Sequence, residues 1–164
     1  MDIQTLQLMA RYNVWATQRL GSVLRAVTIE DFNKKCGLFF QSIAGTLNHL
    51  LVGEHGLWYP RFHDQGSPQM ALNTILETDQ MTLIRTLEEK AHLWLPFLDT
   101  LDPAILAGDF HYQTSTGKPI CAPYGATLLH VFNHGTHHRG QVTAALTAMG
   151  YPCPELDLVY MITN

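Results

Sequence analysis

A chain of 164 residues with 46% hydrophobic content fits one domain, residues 1–164, around a single sizeable core. Ten Lys and Arg against 14 Asp and Glu give a net charge of -4 with the basic residues scattered, which argues against nucleic acid, since phosphate binding needs a concentrated positive surface. The opening MDIQTLQLMARYNVW has no basic leader, no stretch approaches the roughly 18 uninterrupted apolar residues of a membrane span, and Cys36, Cys121 and Cys153 lie far apart without a CxxC pair. A cytoplasmic chain is expected, with no membrane partner and with its three cysteines as small buried apolar residues.

Apolar side chains at Ile3, Leu6, Met9, Ala10, Val14, Leu20, Val23 and Leu24 recur at spacings of three and four and predict an amphipathic helix over 3–26. TIEDFNKKCG reads as a connection, and Ser42 as the N-cap of a second helix over 43–62 that ends before HDQGSPQ. A third helix is predicted from Leu76 or Asp79 to Leu98, closed by Pro96 and the LDP of residues 101–103. Residues 109–124 place two short segments around Thr116-Gly117, the pattern of a small β-hairpin. From Tyr124 to Met149 the spacing is helical again, and Gly150 followed by Tyr151-Pro152 stops it. Four helices of about 20 residues joined by modest loops give an all-α fold, a four-helix bundle with a hairpin before its last long helix.

That last helix carries LLHVFNHGTHHRGQ, in which His130, His134, His137 and His138 fall within nine residues. At about 100° per residue, its apolar face is defined by Leu128, Val131, Phe132, Val142, Ala145, Leu146 and Met149. His138 lies within that face, His134 at its edge, His130 further round and His137 outside. The i, i+4 pair His134 and His138 therefore points inward, one turn apart, the arrangement by which a helix offers two nitrogens to one ion. A third ligand must come from elsewhere. In TLNHLLVGEHGLW the candidates are His49 and His55. His49 is off the main stripe of Ile43, Leu47, Leu50 and Trp58, but on its side lie Gly45, Thr46, Gly53 and Gly56. Mid-helix glycines cost roughly 1 kcal/mol each relative to alanine, and such a strip implies close packing or space for a ligand. His63, His92 and His111 occur singly and read as exposed or hydrogen-bonded.

YNVWATQRL, LNHLLVGEHGLW, the GKP of the hairpin, HVFNHGTHHRGQV and the closing PELDLVY together resemble the DinB/YfiT-like family of metal-binding four-helix proteins, over nearly the whole chain. The resemblance implies an up-down-down-up bundle and a divalent ion held by three histidines matching His49, His134 and His138. It is the resemblance that favours His49 over His55. It also implies a small-molecule substrate and, among relatives, transferases and isomerases that use low-molecular-weight thiols.

Three neutral imidazoles leave the ion's double charge in place and at least one position open, the composition of a catalytic zinc site; nickel, iron or manganese also bind imidazole, with zinc and nickel the leading expectations. An open position can acidify a water or a thiol, giving a hydrolase or a thiol transferase. The competing expectation is a non-catalytic metal- or ligand-binding bundle with a role in stress response. Ligand imidazoles donate their second N–H to an acceptor, for which Gln141, on the side of His134 and His138, and Glu54, just over a turn beyond His49, are the candidates. Arg139 offers a planar fork to an anionic group, or an ion pair to Asp157. Trp15, Trp58 and Trp94 read as core. No further catalytic residue is assigned, and the stripe of small residues suggests a homodimer.

Overall fold

The computed structural model describes residues 1–163 and is mostly helical, with one small two-stranded antiparallel sheet. Helix α1 (Ile3–Leu24) starts at Asp2, whose carboxylate accepts the N–H of Thr5. The predicted connection contains a short helix, α2 (Ile29–Asn33), capped by Thr28. Its one buried residue, Phe32, is the apolar signal in TIEDFNKKCG. Ser42 caps α3 (Ile43–Leu50) as expected, accepting the N–H of Gly45 at 3.0 Å.

The second helix is not a uniform α-helix. Past α3 the chain widens into a π-helical stretch, Leu51–Trp58, before tightening into α4 (Tyr59–His63). Tyr59 donates its N–H to the carbonyl of Glu54, five residues back. Pro60, with no N–H to give, ends that widening.

The third helix is split: α5 (Gln80–Ala91) and α6 (Trp94–Thr100) are separated at His92-Leu93. Pro96 explains the break, because its ring excludes the carbonyl of His92 from a regular helical bond, so Pro96 interrupts the helix instead of closing it. A 3₁₀ turn, Pro103–Ala107, leads into β1 (Asp109–Gln113) and β2 (Pro119–Pro123), with His111 opposite Cys121 and a positive-φ Gly117 at the turn. Helix α7 (Tyr124–Ala148) ends in a Schellman motif, Gly150 at φ +81° and Tyr151 N–H on the Leu146 carbonyl. A short α8 (Leu158–Thr163) follows.

Helix α1 packs on α5, α6 and α7, and α3 packs on α5 and α7. The apolar interior forms two clusters. One gathers Leu20, Leu24, Ile43, Leu47, Leu83 and Leu146; the other gathers Leu6, Ala10, Trp94, Phe97, Leu128 and Phe132. Between them, along α1 and α7, lie Asn13, Thr17, His134, His138 and Arg139, so the polar residues form a layer at the waist of the helices. Trp94 is fully buried, while Trp15 and Trp58 are only half-buried. The cysteines depart from expectation. Cys36 is half-buried, and Cys121 and Cys153 are exposed, because Cys121 lies on the outer face of the hairpin and Cys153 follows the last long helix into a surface segment.

Candidate metal centre

Three imidazoles converge at the waist. His49 lies on α3 two residues before the π-helical stretch, and His134 and His138 stand one turn apart on α7. The Nε2 atoms of His49 and His134 are 3.0 Å apart, and those of His138 and His134 are 3.1 Å apart. All three residues lie close enough to share one ion. Two metal–nitrogen bonds of about 2.1 Å, meeting at 90–109°, separate their nitrogens by roughly 3.0–3.4 Å.

The outer ring nitrogens decide what faces inward. His49 Nδ1–H donates to the Leu72 carbonyl at 2.9 Å, and His138 Nδ1–H donates to Gln141 Oε1 at 2.7 Å. In the neutral rings this leaves the Nε2 lone pairs of both His49 and His138 aimed at His134. His134 can donate to at most one of them, and its own Nδ1 is buried without a partner. Lone pairs facing one another need a cation between them, so the donor set fits a divalent ion.

The electrostatics keep these rings neutral. Burial pushes His134 down to about 3, with the neighbouring imidazoles adding to the effect, and pushes His138 down to about 4 against the opposing bond to Gln141. Burial lowers His49 as well. Neutral imidazole is the form that binds metal.

The DinB family model matches residues 1–163. The chain belongs to the DinB family. It is similar to Protein DinB of Bacillus subtilis (strain 168), at 29% identity over 154 residues, covering 89% of this chain and 87% of that one. Its fold is similar to the crystal structure of a DinB-like protein from Bacillus cereus ATCC 10987, with a TM-score of 0.60 at 17% identity over 86% of this chain and 90% of the other.

Around the triad of this DinB-family chain the other singled-out residues divide. Gln141 reaches His138 with its oxygen and His137 with its amide nitrogen, at 3.2 Å. His130 and His137 are exposed. Glu54 makes no hydrogen bond to the triad. It turns toward α1, where Oε2 accepts from Asn13 Nδ2 at 3.0 Å and lies 3.6 Å from His55 Nε2. The cause is its place in the π-helical stretch, where Gly53 faces His134 while Glu54 and His55 are buried on the side of α1 and α5. Burial raises the pKa of the Glu54 carboxyl against the pull of Arg139 and Asn13. Arg139 donates to Asn13 Oδ1 and Thr17 Oγ1 and lies over the ring of Tyr12; it forms no ion pair with Asp157.

Three contributors carry little signal in the sequence. Phe40 stacks on His49 with centroids 3.8 Å apart and meets His138 edge-on. It is placed by Gln41 at φ +75°, and the first turn of α3 approaches the Phe40 carbonyl so closely that only Gly45 fits. The Leu72 carbonyl comes from a loop, and no side-chain pattern announces it. A cleft of about 220 Å³ opens beside His49 and His134, walled by Gly53, Trp58, Tyr112 and His130.

Proposed function

We propose that this DinB-family protein is a metal-dependent enzyme acting on a small molecule, with His49, His134 and His138 holding one divalent ion, zinc or nickel ahead of iron or manganese. The convergence of three imidazoles, with the Nε2 atoms of His49 and His138 at 3.0 and 3.1 Å from that of His134, carries this reading. When bound, such an ion supplies Lewis acidity to a water or a thiol at its open position. The chain supplies the rest: Leu72 and Gln141 fix the ring tautomers, Phe40 holds the plane of His49, and burial keeps all three rings unprotonated.

A low-molecular-weight thiol fits better than water. Hydrolysis draws on a general base near the reacting atoms, yet Glu54 is committed to Asn13, and the cleft has no carboxylate among the described residues that line it. A thiol needs acidification only. The same reading has the helices run up-down-down-up as a four-helix bundle in a single domain. It places the protein in the cytoplasm as a homodimer without nucleic-acid partners. No helix among the described residues is long and apolar enough to cross a membrane.

Elemental analysis of the purified chain should give one divalent ion per chain, retained in His130→Ala and His137→Ala and lost in His138→Ala. In a cobalt-substituted form, added thiol should produce a sulfur-to-metal charge-transfer band that is absent from His138→Ala. Hydrolysis of simple esters or amides without any thiol response gives the water route instead. One ion per chain with neither response leaves a non-catalytic, ion-holding bundle.

A further inference from the structure

We propose that the cleft beside the triad is a carboxylate subsite built on Arg61, so that the small molecule it takes is an organic acid. Arg61, on α4, is 4% exposed. Its guanidinium carbon lies 4.7 Å from the ring centroid of Trp58 and 5.0 Å from that of Tyr112. Those contacts are made to the faces of the two rings, which offer the guanidinium no oxygen acceptor for its N–H donors. Nε and Nη2 are buried without hydrogen-bond partners. No ion pair joins Arg61 to a described carboxylate, and the nearest acid in sequence, Asp64, is bonded to His63 at 2.6 Å.

Burial lowers the pKa of Arg61, but arginine starts so high that it stays charged. A buried cation with no counter-ion is costly to keep. The cleft that Arg61 lines is the one that reaches His49 and His134. A carboxylate entering it supplies the paired acceptors that the guanidinium fork lacks. A phosphate dianion fits less well, because the cleft is lined by no second Lys or Arg among the described residues. At about 220 Å³ the cleft is smaller than the roughly 300–1,000 Å³ of drug-sized sites, which points to a small acid. The proposal rests on the metal-centre reading for what happens to the bound acid, not for its binding.

The test is an NMR titration of the zinc-supplemented full-length chain, following the indole N–H resonances of Trp15, Trp58 and Trp94, with zinc content measured on the same sample. Sodium acetate should shift the Trp58 resonance saturably and leave the other two in place, and neutral acetamide at equal concentration should not. Arg61→Lys keeps the charge but not the fork and should weaken acetate at least tenfold; Arg61→Gln should abolish the response. If Arg61→Gln does not fold, the acetate and acetamide comparison on the wild type together with Arg61→Lys decides. His138→Ala should keep the acetate response, because the subsite does not need the ion. No acetate response in a chain holding one zinc overturns the subsite and leaves the metal centre standing. Acetate binding in a wild-type chain that takes up no zinc does the reverse. A response retained undiminished in Arg61→Lys or Arg61→Gln, or inorganic phosphate binding more tightly than acetate, also overturns the carboxylate assignment.

Discussion

Two glycines five residues apart on α7 should respond to alanine with opposite signs. A Cβ at Gly140 meets nothing within 4 Å, and the residue is exposed, so Gly140→Ala gains only the helical preference of alanine, about 1 kcal/mol. A Cβ at Gly135 meets Glu54 Oε1 in hard contact, with Arg139 Nη1 and Asn13 Oδ1 each 3.0 Å away. These three residues are 3%, 2% and 0% exposed, so the displaced groups have no solvent to retreat into. Overpacking costs about 1–3 kcal/mol, loosening the buried Glu54–Asn13 bond costs a further 1–3 or so, and the helical gain offsets about 1. The expected net loss for Gly135→Ala is roughly 3 kcal/mol. At about 2–4 °C per kcal/mol for a chain of this size, its melting temperature should fall by roughly 6–12 °C, while that of Gly140→Ala should rise by about 2–4 °C. Thermal unfolding followed by far-ultraviolet circular dichroism reads both. If Gly135→Ala melts at or above the temperature of Gly140→Ala, the buried Asn13–Glu54–Arg139 layer is not packed as described.

Replacing Gln141 with Leu removes the acceptor that holds the His138 ring, and metal affinity should drop by about 10–100-fold without loss of the fold, measured by competition with a chelating dye. His55 is held neutral, its pKa lowered to about 3 by burial first and Lys90 second. The unfolded chain therefore takes up a proton between pH 6.5 and about 3 that the folded chain does not, so this residue makes stability fall on acidification, by up to about 1.4 kcal/mol per pH unit. Glu54, with its pKa raised, acts in the opposite sense. His55→Gln should thus make the slope of stability against pH between 6 and 4 shallower in denaturant titrations, the lowered triad histidines keeping part of it; an unchanged slope refutes the burial of a neutral His55.

Periodicity made the long helices legible, because their apolar faces are regular: six of the seven face residues of α7 are fully buried. The same wheel pointed His138 inward and put His134 at the edge, and these two rings meet His49 in the structure. What spacing could not supply was His49 itself. A wheel of 3.6 residues per turn runs out of phase where Leu51–Trp58 widens, and with it the expected position of Glu54 beside His49. Likewise the split at His92-Leu93 follows from the reach of Pro96 one turn backward, an effect that sequence reading placed at the helix end. The Leu72 carbonyl and the turn at Gln41 depend on where loops travel, which local pattern does not encode.

The two orientable rings of the triad are anchored by different kinds of atom, and this shapes how the site can change over generations. The His138 ring is held by the side chain of Gln141, so a single codon change can retune or release it. The His49 ring is held by a main-chain oxygen at position 72, where the leucine side chain is 46% exposed. Every amino acid carries that oxygen, so substitutions at 72 leave the anchor in place, and only a change in the length or route of the loop between α4 and α5 removes it. One side of the centre is thereby open to gradual adjustment by point mutation, while the other is sheltered from it and exposed instead to insertions and deletions.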